Sequence, residues 1–105
     1  MFLVALSHSG PRWDFGRPME GQSRWAEHAS YMDRLVDDGV IVLGGPLDEL
    51  RVVLVMEAES ELAVRELLGR DPWSETHLRI DGIDAWTIRL DGRGRPPHGG
   101  GGHRS

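Results

Sequence analysis

The seven residues RVVLVME, Arg51 to Glu57, set five apolar side chains in a row between two charged ones. Residues of a strand project alternately to its two faces, so Val52, Leu54 and Met56 share one face and Val53 and Val55 the other. A strand with one face in water alternates apolar with polar residues, and this one does not. Phe2 to Ser7 (FLVALS) has the same two-sided character, and so does Val40 to Leu43. A sheet built from these strands has two surfaces to cover.

Working outward from that strand, the period of the apolar residues changes twice. Between Met19 and Asp38, the residues Trp25, Ala29, Met32, Leu35 and Val36 fall on one helical stripe, and Gly39 stands where a left-handed C-cap belongs. Ser60 is placed to cap a second helix reaching Leu68, with Glu61 in its first turn. SHSGP at residues 7–11 ends strand one, and Gly44-Gly45-Pro46 is expected to stop strand two at Leu43. Leu78 to Leu90 reads as a fourth strand with a bend at Gly82, in which Trp86 is the tryptophan best suited to the core. The predicted class is α+β, a ferredoxin-like β-α-β-β-α-β order with a four-stranded antiparallel sheet and both helices on one face. Two helices cover one surface only. The other predicts a homodimer with two sheets packed face to face.

The domain is expected to occupy residues 1–91. Residues 92–105, GRGRPPHGGGGHRS, contain no apolar side chain to offset their ordering entropy and read as a flexible tail. His98 and His103 within it are two histidines on a glycine-rich end rather than a metal site. The chain has 12 basic residues, all arginine, against 17 acidic ones; residues 1–91 hold 9 and 17, a net charge of −8. So acidic a body repels phosphate backbones, which argues against nucleic-acid binding. No apolar run approaches the roughly 20 residues of a membrane-spanning helix. No secretory leader pattern is visible, and the expected location is cytoplasmic. The absence of cysteine excludes disulfides, thiolate metal sites and cysteine nucleophiles.

His28 carries the chemistry of the first helix. It lies three residues after Trp25 and four before Met32, at or beside the buried stripe. It reads either as a satisfied structural histidine or as a general base or acid facing a cleft. The acids of its own helix are badly placed to orient it: at about 100° per residue Asp33 is ~140° round and Asp37 half a turn away. Asp71, after the second helix, is the better partner, although Asp-Pro also opens turns. Trp25 and Trp73 flank these two residues and suit an apolar pocket, to which Met32 on the same stripe belongs. Ser7 and His8 stand near its mouth. Gly45 and Pro46 let backbone pass close to a ligand or a partner subunit. Ser7, His28 and Asp71 also spell a nucleophilic triad, but no elbow or oxyanion motif accompanies it.

W-x-x-H-A-x-Y-M-D at Trp25–Asp33, G-x-x-x-L-G-G-P at Gly39–Pro46, D-P-W at Asp71–Trp73 and A-W-T-I-R-L at Ala85–Leu90 together resemble the YCII-related family over roughly residues 1–91. The resemblance implies a dimeric α+β barrel of ferredoxin-like subunits. It also implies a histidine–aspartate pair in a cleft, which falls on His28 and Asp71. One such relative is a dehydrochlorinase of a chlorinated hydroxyquinol, so the implied chemistry is acid–base elimination or isomerisation. The expectation is a protein that needs no cofactor or metal and acts on a small aromatic or enolisable molecule. The alternative is a non-catalytic dimer that binds a small molecule or serves as a structural module. Haem- or oxygen-dependent chemistry, found on similar barrels, is a matter of fold analogy alone.

Overall fold

A computed structural model describes residues 1–93. The elements run β1 (Phe2–Ser7), a 3-10 turn (Met19–Gly21), α1 (Trp25–Asp37), β2 (Ile41–Pro46), β3 (Arg51–Met56), α2 (Glu61–Gly69) and β4 (Arg79–Ala85). The four strands form one sheet in the order β2-β3-β1-β4 with every pair antiparallel. The chain is thus an α+β protein with two helices on a four-stranded antiparallel sheet, compatible with a ferredoxin-like fold. The tail with His98 and His103 lies outside the described residues.

Val4 and Leu6 of β1, Leu54 and Met56 of β3, Ile41 of β2, Leu35 of α1 and Val64 and Leu68 of α2 form one buried cluster. Both helices therefore cover the same sheet face. Tyr31 of α1 ties them together by donating to Leu67 O at 2.6 Å. On the opposite face Leu3, Ala5 and Val53 are only half-buried or exposed, and Leu43 is 54% exposed. Val55 there is buried, in a hollow that it lines together with Leu43, Trp86, Ile88 and Leu90.

The helix ends follow their residue types. Ser60 accepts a hydrogen bond from Ala63 N–H, satisfying one of the orphan donors of α2. Gly39 has φ +78°, with Gly39 N–H donating to Val36 O and Val40 N–H to Leu35 O. That is the paired closure of a Schellman motif, which a left-handed residue makes possible.

Three boundaries differ from the sequence expectations. The helix predicted from Met19 begins at Trp25: Arg24 takes a left-handed φ of 59°, and Met19–Gly21 is a separate turn. Buried Gln22 explains the separation. Its amide accepts from Asp14 N–H and donates to the Asp14 and Arg17 carbonyls, so it closes the preceding loop instead of extending a helix. Gly44-Gly45-Pro46 does not stop β2 but forms its second half, opposite Leu54, Val53 and Val52. Proline is tolerated because β2 is an edge strand. A Cβ on Gly44 would come within 2.5 Å of Leu54 Cδ2, so the close approach that glycine permits is to the chain's own core. β4 ends at Ala85, not Leu90, and Trp86 is 45% exposed rather than in the core. The bend expected at Gly82 is a bulge, where Ile80 pairs with Leu6 and Gly82 with Ala5.

Candidate functional site

α1 delivers His28 one turn in from its start, and the turn that follows α2 delivers Asp71. His28 Nδ1 lies 2.8 and 2.9 Å from the two carboxylate oxygens of Asp71, and both residues are buried. An ionised carboxylate only accepts, so Nδ1 carries the hydrogen and Nε2 keeps its lone pair in the neutral ring. Asp71 Oδ1 also accepts from Trp73 N–H at 3.0 Å, which closes the Asp-Pro turn. One carboxylate thus both closes the turn and contacts the His28 ring.

Behind the pair stands a stack of rings. His28 lies flat on Trp73 with centroids 4.0 Å apart and planes 6° from parallel. His77 also stacks on Trp73, at 4.9 Å and 16°. Trp73, with no exposed surface, is anchored by its indole N–H to Ser23 O at 2.8 Å. His77 is held between Ser23 Oγ and Thr76 Oγ1, each 2.9 Å from a ring nitrogen. Burial holds the His77 imidazole below its usual range, and a protonated His28 and Arg12 act in the same direction. Trp13 meets Trp73 edge-on at 5.6 Å and stacks on His8 at 4.0 Å.

His28 opens onto a cavity of about 500 Å³ between α1 and the β2–β3 half of the sheet. Its walls are mostly apolar, and Trp25, Met32, Gly45 and Pro46 are among them as the sequence suggested. Ser7 and Trp73 are not. The alternation of β1 turns Ser7 away from the helices, where its hydroxyl donates to Asp81 Oδ1 at 3.2 Å and meets Ser9 Oγ at 2.7 Å. A Ser7–His28–Asp71 triad is thereby excluded. Trp73 supports His28 from behind instead of touching the cavity. His8, which the sequence placed only near the mouth, is a cavity wall in its own right. The roles of His77, Trp13 and Gln22 were not foreseen. The SHSGP segment directly after strand one was the one available signal for His8, since a side chain two positions beyond a core-facing Leu6 points the same way.

Among the described residues no three histidine or acidic side chains are grouped so as to hold a metal ion. No described helix is long and apolar enough to cross a membrane. Fold and site together define a small α+β protein with a buried histidine–aspartate pair beside an apolar chamber. No family model, curated protein or solved structure matches the chain.

Proposed function

We propose that the protein is a cofactor-independent acid–base enzyme, a lyase or isomerase, that moves a proton on a small aromatic or enolisable molecule held in the α1 cavity. The observation that carries this is the double contact of His28 Nδ1 with the Asp71 carboxylate at the wall of an apolar chamber. Held through Nδ1, the ring has Nε2 free to take a proton from bound substrate. The positive charge that then appears on His28 is balanced by the Asp71 carboxylate and lies against the face of Trp73. The same nitrogen returns the proton to another atom of the substrate or to a leaving group. Apolar walls suit an aromatic body, and the sparse polar groups fix its orientation.

The motifs at Trp25–Asp33, Gly39–Pro46, Asp71–Trp73 and Ala85–Leu90 support placing the chain with the YCII-related proteins, as ferredoxin-like subunits paired through their open sheet faces in the cytoplasm. The half-exposed Leu3 and Val53 and the exposed Leu43 support that pairing.

A crystal soaked with phenols, quinones and small ketones, together with ¹⁵N NMR of the histidine rings, tests the function. The expected result is a ligand beside His28 and a ligand-dependent shift of its ring nitrogens. A second reading, a non-catalytic binding module, draws on the same burial, because the Trp73 N–H bond gives Asp71 a structural use. It requires that His28→Gln bind the ligand as wild type does and that no ligand of the panel be turned over. That combination would replace the enzymatic reading.

A further inference from the structure

Two imidazoles border the apolar cavity, and the His28–Asp71 pair accounts for only one of them. His8 follows β1 and is 3% exposed. Its backbone N–H donates to Leu50 O at 2.7 Å and its Nδ1–H to Glu49 O at 3.0 Å. Trp13 lies flat against the ring at 7°, and Trp73 stands edge-on to it at 89°. Orientation and tautomer are both fixed: a carbonyl only accepts, so Nδ1 bears the hydrogen and Nε2 the lone pair. No group among the described residues bonds to that nitrogen. A buried acceptor without a partner is costly, and a ligand donor in the cavity supplies one.

The two rings rest on one indole. Trp73 lies 6.3 Å from His8 and 4.0 Å from His28, centroid to centroid, so they are no farther apart than those two distances laid end to end. Their orienting acceptors differ in kind. Asp71 is a carboxylate and balances an added proton on His28, whereas the Glu49 carbonyl is neutral and only aims His8. One ring is thus built to hold a proton and the other to receive one. The cavity wall contains no arginine, and Asp33 is its one formal charge besides the histidines. An anionic substrate finds no counter-charge there.

We propose that His8 is the second catalytic residue of this site and that the two histidines interconvert the enol and keto forms of a small, uncharged aromatic carbonyl compound; this rests on the acid–base role of His28 proposed above. In the ketonising direction the enol O–H bond breaks as its proton passes to His8 Nε2. The electron pair left on oxygen forms the C=O bond, and the C=C pair takes the Nε2 proton of a His28 ring that enters this direction as the imidazolium, balanced by Asp71, to make the new C–H bond. His8 then releases its proton to water and His28 takes one back, so no further reactant is consumed.

2-Indanone, a neutral aromatic ketone, tests this through exchange of its α-hydrogens in D₂O, followed by ¹H NMR with the full chain. The wild-type chain is expected to accelerate exchange over the buffer blank. His8→Asn keeps an amide N–H at the place of Nδ1, so it retains the Glu49 bond but lacks Nε2. It is expected to lower the protein-dependent rate about 100-fold, as is His28→Gln. The ¹⁵N signals of the His28 ring in His8→Asn should match wild type, showing that the Asp71 pair survives; His8→Gln, which likewise has no basic nitrogen, replaces the first variant if those signals are lost. Full exchange in the His8 variant beside a dead His28→Gln overturns the role of His8 and leaves that of His28 standing. No acceleration by wild type, with His28 still shifted by a bound phenol, overturns the keto–enol chemistry alone. No acceleration and no shift overturn both readings.

Discussion

Asp71 accepts from His28 Nδ1–H and from Trp73 N–H with a carboxylate that is almost wholly buried. Asp71→Asn keeps an acceptor for either donor but removes the charge that balances an imidazolium. Its expected stability cost is about 1–3 kcal/mol, read from urea unfolding. Any His28-dependent turnover should fall by about 100-fold or more, in the manner of other orienting carboxylates. His77 gives a second prediction, about pH. The unfolded side chain takes up its proton near pH 6.5, while burial delays this in the folded chain. On acidification through and below pH 6.5 the unfolded state therefore binds more protons, and stability falls as pH falls. The slope from this residue cannot exceed about 1.4 kcal/mol per pH unit, and His77→Gln should remove it from a series of urea midpoints taken between pH 7.5 and 5. An unchanged slope would mean that His77 is not the group responsible. At this scale the sequence disclosed His28 through its helical spacing and favoured Asp71 over the acids of that helix, although spacing alone read Asp71 equally well as a turn former. The ring stack was invisible, because Trp13, Trp73 and His77 come from loops that no periodicity describes.

The elements were legible where local chemistry decides them and misplaced where a distant contact does. Gly39 and Ser60 were readable because a left-handed C-cap and an N-cap hydroxyl act within four residues. Substituting each should show how local the effect is. A Cβ at Gly39 has no neighbour within 4 Å, so Gly39→Ala meets only the backbone penalty of φ +78°. That penalty is about 1–2 kcal/mol, and Ser60→Ala should cost about 1 kcal/mol. Thermal melts of the two variants and their double mutant should show additive losses, since the caps belong to different helices. The start of α1 was misread because Gln22 spends its amide on Asp14 and Arg17, partners up to eight residues back in a loop. The length of β2 was misread for a related reason. Glycine and proline normally punctuate, but Leu54 fills the space above Gly44, and the outer edge of the sheet makes no demand on Pro46.

For the whole molecule the consequence of RVVLVME, residues 51–57, lies in the face the helices leave uncovered. Val53 pairs with Ala5 on one side and Gly45 on the other, so the middle of that face has small residues and a low profile, with Leu3, Leu43 and Val55 around it. The segment after β4 reaches this face through the Trp86 N–H bond to Met1 O, yet Trp86 and Leu90 are themselves 45% and 79% exposed. It adds apolar surface without finishing the burial. A flat, low-relief patch suits an identical patch turned about a two-fold axis, and in the proposed dimer each Val53 would meet the partner sheet. Sedimentation at micromolar concentration is accordingly expected to give twice 11.7 kDa. Val53→Asp would put a carboxylate from each protomer into the proposed interface, where like charges would be desolvated together, and should shift the mass to the monomer. The His28–Asp71 pair lies on the other side of the sheet, so the ring ¹⁵N signals of His28 should persist in the variant. A wild-type chain that sediments as a monomer would refute face-to-face pairing. A dimer that survives Val53→Asp would require an interface elsewhere on the molecule.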